Sequence, residues 1–217
     1  MTMEAKGPRR PKDEELCRRR EDAILDAAAP VFAEHGYRQM DVQGLADAVG
    51  VAKGTVYNYF PSKQELFLAT VDRVMRRLQS EIAEATETET DPLERITRAV
   101  RTYLAFFDTH PEFVELIILE RAEFKRRRTP TYFLYRAANE EKWRCLVEEL
   151  IEQGRLRPVP AERVTDVISD LLYGAIFTNV FAGRGKSFEQ QADDVLDVVW
   201  HGILPSPVHS GTGGRSE

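Results

Sequence analysis

Between Asp41 and Ser62 the chain is punctuated so densely that only short helices fit. Asp41 is a capping residue, and Val42, Leu45, Ala46 and Val49 come after it at helical spacing until Gly50 stops the run. A second short helix is predicted from Lys53 to about Phe60, ahead of Pro61. Ser62-Lys63-Gln64-Glu65 is then a capping box, and it opens a long helix with Leu66, Phe67, Val71, Val74, Met75, Leu78 and Ile82 on one face. Two short helices joined by a glycine-containing turn form a helix-turn-helix, here about residues 41–60, with a connecting helix at 62–85.

The second short helix, taken together with the start of the long one, is not built for core packing alone. Gly54 lets the backbone approach a partner closely, Thr55, Tyr57 and Asn58 supply hydroxyl and amide groups, and Lys53 and Lys63 bracket a stretch without a carboxylate. Backbone amides at the start of the helix after Ser62 make an anion site beside Lys63. Phe60, Val49 and Leu45 are the ordinary core residues of the pair.

The net charge of -6 speaks against a nucleic-acid partner only until its distribution is considered. Residues 1–63 hold 10 Lys+Arg and 10 Asp+Glu, so the excess acid lies beyond them. With 42% hydrophobic and 30% charged residues the chain suits a globular, helical protein. It has no uninterrupted apolar run of membrane-spanning length, and its first residues lack the apolar core of a signal peptide, so a cytoplasmic protein without a membrane partner is expected. Cys17 and Cys145 are isolated, and His35, His110, His201 and His209 are too scattered for a catalytic pair or a metal cluster. Neither a cofactor nor an enzymatic activity is expected.

Periodicity and caps predict an all-α chain throughout. Residues 1–14, with GPRRPK at 7–12, form a basic flexible arm that either solubilises the chain or reaches for phosphates. Helix 1 carries Ile24, Leu25, Ala28, Val31 and Phe32 and stops at Gly36, with Pro30 inside it expected to bend it at a cost of about 3 kcal/mol. The segment that holds the helix-turn-helix spans 15–84, and the polar stretch ATETETDP at 85–92 separates it from a larger helical domain at 91–204. There, Asp91-Pro92, Pro111 and Thr129-Pro130 open three helices, and the arginines at 126–128 are expected in a solvated loop rather than in a second nucleic-acid site. Residues 161–182 are apolar on two sides: Val164, Val167, Ile168, Leu171, Leu172, Ala175 and Ile176 on one, Tyr173, Phe177 and Phe181 on the other. One side suits the domain's own core and the other needs a partner, with Gly174 and Ala175 permitting close approach. A capping box at Ser187 opens the last helix, with Val195, Leu196 and Val199, and residues 205–217 form a flexible tail.

ILDAAAPVFAEHGY and, after it, LADAVGVAKGTVYNYFPSKQELF resemble the N-terminal domain of the TetR (tetracycline repressor) family of bacterial regulators, from about Arg18 to Leu78. The resemblance implies a homodimer whose recognition helices read a palindromic double-stranded DNA operator, and a C-terminal domain that binds a small molecule and dimerises through its last two long helices. It puts Gly54, Thr55, Tyr57, Asn58, Lys63 and, in part, Tyr59 against DNA, with Lys53 and, from the preceding helix, Asp41 and Gln43 beside them. Three positions depart from the family pattern: Met40 stands for a threonine, Ala52 for a hydroxyl cap worth about 1 kcal/mol, and Asn58 for a histidine. The dimer interface is expected at Val167, Leu171, Gly174, Ala175, Val195 and Val199. A lipophilic or aromatic effector is expected among Tyr103, Phe107, Phe113, Trp143, Tyr173 and Phe177, oriented by Glu120, Arg136 and Asn139. The expected function is a ligand-responsive transcriptional repressor; the alternative is an architectural or division-linked DNA binder of the same fold without an inducer.

Overall fold

A computed structural model describes residues 11–183 and 186–203. The expectations for residues 1–10, Arg184, Gly185, His209 and the tail 205–217 lie outside these residues. Among the described residues there are nine α-helices and no strand: α1 Pro11–Gln39, α2 Val42–Ala48, α3 Lys53–Tyr59, α4 Lys63–Thr86, α5 Pro92–Thr109, α6 Glu112–Glu123, α7 Thr131–Glu152, α8 Ala161–Ala182 and α9 Phe188–Ile203.

Local chemistry accounts for most of the boundaries. Asp41 accepts from the amides of Gln43 and Gly44 at 2.9 and 3.1 Å and starts α2. Ser62 Oγ accepts from Glu65 N at 3.1 Å, and Asp91 Oδ1 accepts from Glu94 N at 3.0 Å. At α9 the capping box is reciprocal, Gln190 N donating to Ser187 Oγ and Ser187 N to Gln190 Oε1, both at 3.2 Å. Gly36 breaks α1 with φ 72°, as its stop signal predicts, but one further turn carries the chain to Gln39. α1 starts at Pro11, earlier than expected, because a proline at the first helical position sacrifices no amide bond. Pro30 keeps helical backbone and lies on the exposed side of α1.

The chain divides into two compact units, and α4, α5 and α7 contribute segments to both. The first unit takes in the helices up to Glu81 together with Phe106–Ala137. Its core joins Ile24, Leu25, Ala28 and Phe32 of α1 with Leu45 and Ala46 of α2, Val56 of α3, Leu66, Phe67, Val71 and Val74 of α4, and Phe113, Leu116 and Ile117 of α6. The rings of Phe32, Tyr37, Phe67 and Phe124 form one cluster with centroids 5.0–6.3 Å apart, which ties the end of α6 to α1 and α4.

The second unit takes in Ile82–Ala105 and the described residues from Ala138 onward. It buries Ile96, Val100 and Leu104 of α5, Val147 and Leu150 of α7, Val164, Leu172 and Ile176 of α8, and Phe188, Ala192, Leu196 and Val199 of α9. Trp200 Nε1 donates to Thr97 Oγ1 at 3.2 Å, and Arg101 pairs with Asp193 at 2.5 Å, so α9 is fastened to α5. α8 alone among the described helices is long and apolar enough, by length and composition, to cross a membrane, although Asp166 and Asp170 interrupt its apolar residues.

Candidate nucleic-acid interface

α3 turns Val56 into the core and leaves Lys53, Gly54, Tyr57 and Asn58 together on its exposed side, with Thr55 and Tyr59 half-buried at its edges. Helical register is the cause: positions i, i+1, i+4 and i+5 share a side. A methyl group placed on Gly54 would meet nothing within 4 Å. Nothing inside the chain therefore requires glycine there, although it costs about 0.5–1 kcal/mol against alanine within a helix. No side chain caps α3 at Ala52, in agreement with the missing hydroxyl.

The neighbouring predicted residues are more committed to the protein itself. Asp41 is the α2 cap, and the two amides it accepts from hold its carboxyl below the usual carboxylate range. Gln43 Nε2 donates to Asp47 Oδ1 at 2.8 Å while remaining exposed. Lys63 Nζ donates to the backbone carbonyl of Arg38 at 2.9 Å and lies 5.4 Å from the Tyr37 ring centroid. An ammonium has three donors, so two remain for an anion at the start of α4. Met40, in the place of the family's threonine, is buried and serves packing.

Two neighbouring residues of α4 tie it to different helices within the first unit, and no sequence signal announces either. Arg73 grips α1: its guanidinium meets Asp26 at 3.0 and 3.1 Å and Asp22 at 2.9 Å. Asp72 accepts at 2.7 Å from the Tyr135 hydroxyl of α7 and pairs with Arg76 at 3.0 Å. Burial and the Asp72 carboxylate push the Tyr135 pKa up to about 12.

The residues expected at the effector fall in both units. Phe107 and Phe113 are buried in the first, and Arg136 is half-buried there. Glu120 is also in the first unit and only 1% exposed. Its carboxylate accepts from Arg127 Nη1 at 2.5 Å, from Thr131 N at 3.0 and 3.1 Å and from Thr131 Oγ1 at 2.9 Å. Its acceptor capacity thus serves the α6–α7 turn. This also corrects the picture of the 126–128 loop as wholly solvated, because Arg127 turns inward. In the second unit Tyr103 is buried, Trp143, Tyr173 and Phe177 are half-buried, and Asn139 is half-buried. Tyr173 and Phe177 lie 4.6 Å apart between centroids.

On α8, Val167 and Leu171 remain 50% and 42% exposed, and Gly174 faces outward on the same stripe, with nothing within 4 Å of an added methyl. Ala175 and Val195 are half-buried. Val199 points into the core of its own unit, because α9 is rotated so that Val198 takes the outward position at 69% exposure. Phe181 is 71% exposed.

Residues 24–70 match the family described as "Bacterial regulatory proteins, tetR family". The transcriptional activator FasR of Mycolicibacterium smegmatis is 35% identical over 112 residues, which span 52% of this chain and 49% of that one. The transcriptional repressor KstR2 of the same organism is 26% identical over 198 residues, covering 86% and 92%. Among solved structures, the transcriptional regulator FadR of Bacillus subtilis, in complex with stearoyl-CoA, shares the fold with a TM-score of 0.68 at 19% identity, covering 83% of this chain and 98% of its own. These proteins regulate transcription and are not enzymes. With the exposed α3 and the helix-turn-helix that carries it, residues 24–70 belong to the DNA-binding domain of the TetR family of transcriptional regulators.

Proposed function

We propose that the chain acts as a homodimeric repressor in the cytoplasm, bound to a palindromic operator and released from it by a lipophilic small molecule. The observation that carries the reading is the outer side of α3, where Lys53, Gly54, Tyr57 and Asn58 lie together with no carboxylate on the helix itself and Gly54 has no internal reason to be glycine. Tyr57 and Asn58 read base edges, Thr55 and Tyr59 flank them, and Lys53 and Lys63 neutralise phosphates. Asp41 and Gln43 shape the edge of the same surface through the α2 cap.

Dimerisation supplies the second recognition helix. The outward stripe of Val167, Leu171 and Gly174 supports a partner copy as its cover, since an exposed apolar stripe with a central glycine fits close helix packing. The same pairing accounts for the apolar length of α8 without a membrane.

For release, α4 is the transmitting element. Arg73 couples it to α1, and Tyr135 couples it to α7, so displacement of α7 reaches the DNA-binding helices through neighbouring residues of α4. The paired recognition helices must sit about 34–36 Å apart, or a multiple, to enter successive major grooves. A ligand that prefers the displaced geometry by about 1.4 kcal/mol weakens operator binding tenfold. Aromatic Trp143, Tyr173 and Phe177 support an apolar ligand, and stearoyl-CoA, seen in the FadR neighbour, is the first probe.

The test is selection of operator sequences from a random duplex pool, then footprinting, then release measured with stearoyl-CoA and other lipophilic compounds. A palindrome with half-sites about one helical turn or a small multiple apart is expected. No selected sequence sinks the DNA reading. Many unrelated sites without release by any compound would instead make the protein an architectural or division-linked binder.

A further inference from the structure

Residues 124–139 hold Lys125, Arg126, Arg127, Arg128 and Arg136 and no carboxylate. The fold does not leave this segment at a distance from the helix-turn-helix. Phe124 caps α6 with its amide on Glu120 O at 3.0 Å, and its ring stands 5.0 Å from Tyr37 and 5.5 Å from Phe67. Tyr37 is the ring beneath the Lys63 ammonium. One aromatic ring therefore separates Phe124, the residue before the basic run, from the lysine at the start of α4.

The turn is also held from inside. Arg127 N donates to Phe124 O at 2.9 Å, and its guanidinium is committed to the buried Glu120 and to Thr131 Oγ1 at 3.0 Å. With Arg127 drawn inward, Lys125, Arg126 and Arg128 are left exposed, and no ion pair involves them among the described residues. The carboxylates of α6 nearest the turn are occupied: Glu120 by Arg127, and Glu123 by Arg38 at 3.1 Å. Glu34 and Glu65 are the exposed acids on the neighbouring segments of α1 and α4. Three cations without ion pairs, on a braced turn whose first residue shares the Tyr37 ring with Lys63, are an electrostatic surface that a polyanion fits.

We propose that the α6–α7 turn is a second phosphate-binding element, in which Lys125, Arg126 and Arg128 contact the DNA backbone while α3 occupies the groove. This rests on the operator-binding reading above. DNA is the occupant because the turn lies in the same compact unit as the helix-turn-helix and its Phe124 packs on the ring that also carries Lys63. Such contacts add affinity to every sequence and no base specificity.

The test uses the full chain and the duplex that wild-type protein selects from a random pool, embedded in longer flanking sequence, with affinity measured across a salt series. Lys125→Gln/Arg126→Gln/Arg128→Gln should keep the wild-type melting temperature, since none of the three is buried. Its plot of log affinity against log salt should be shallower by about 0.9 for each phosphate no longer neutralised. Arg126→Lys/Arg128→Lys, which keeps the charge, should keep the slope. A triple variant with the wild-type slope overturns the proposal, as does a slope reduced equally in the lysine variant, because a turn distorted by side-chain shape would then be the cause. Wild-type protein that selects no DNA sinks both readings, whereas normal binding with an unaffected triple variant sinks this one alone.

Discussion

Leu171→Glu should convert the dimer to folded monomer, and the size of the effect can be worked from the exposed surface. Val167, Leu171, Phe181 and Val198 leave 50%, 42%, 71% and 69% of their surfaces uncovered in the single chain. At about 1.5–3 kcal/mol for full burial of such a side chain, covering these fractions on both protomers yields roughly 7–14 kcal/mol. Association costs about 4–15 kcal/mol in lost freedom, so the surplus is modest. Leu171→Glu removes its apolar share and leaves a desolvated carboxylate without a partner, about 3–5 kcal/mol more. The dissociation constant should rise by at least about a thousandfold, at 1.4 kcal/mol per decade.

Sedimentation velocity over a range of protein concentrations reads this directly, with circular dichroism to establish that the monomer remains helical. Val198→Glu should act in the same way. Val199→Ala, one position further, should instead lower thermal stability by about 1–3 kcal/mol and leave the dimer intact, because Val199 is buried within its own unit. Intact dimers for both glutamate variants, or dissociation by Val199→Ala alone, would refute the assignment of this face.

Lys63→Ala should weaken binding to all sequences and flatten the salt dependence by about 0.9 for each phosphate released, twice in a dimer, whereas Tyr57→Ala should alter the sequences selected; a salt series and a repeat selection distinguish them. Trp143→Ala and Phe177→Ala should abolish release by an effector found by thermal shift while operator affinity stays within a few-fold of wild type, the readout being DNA release titrated with that compound. The Tyr135 hydroxyl, raised from its ordinary 10 to about 12, holds its proton more firmly when folded. Its stabilising contribution is therefore complete below pH 10 and is lost as pH climbs toward 12, so Tyr135→Phe should flatten the alkaline limb of the melting curve, and one tyrosine should ionise near 12 in an ultraviolet titration.

The helix boundaries were legible because their chemistry is local. Asp41, Ser62, Asp91 and Ser187 each satisfy amides two or three positions away, so the information lies within one turn of the residue that carries it. The exposed side of α3 was legible for the same reason, as register alone puts Lys53, Gly54, Tyr57 and Asn58 together. Rotation about a helix axis is less well determined by pattern. Val198 and Val199 are both apolar neighbours on α9, and which one faces inward is decided by Trp200 reaching Thr97 and by Arg101 reaching Asp193. Glu120 shows the same limit from the polar side: buried carboxylates are rare unless paired, and its partners, Arg127 and Thr131, belong to the next turn and helix. Most remote from sequence are the grips on α4, where Arg73 finds Asp26 across 47 positions and Tyr135 finds Asp72 across 63. A charged residue on an amphipathic helix is ordinarily solvated, so nothing at Asp72 or Arg73 marks them before the fold brings α1 and α7 alongside. The residues through which an effector would act on DNA are thus the ones that only tertiary structure can reveal, whereas the residues proposed to touch DNA are set by a few contiguous turns.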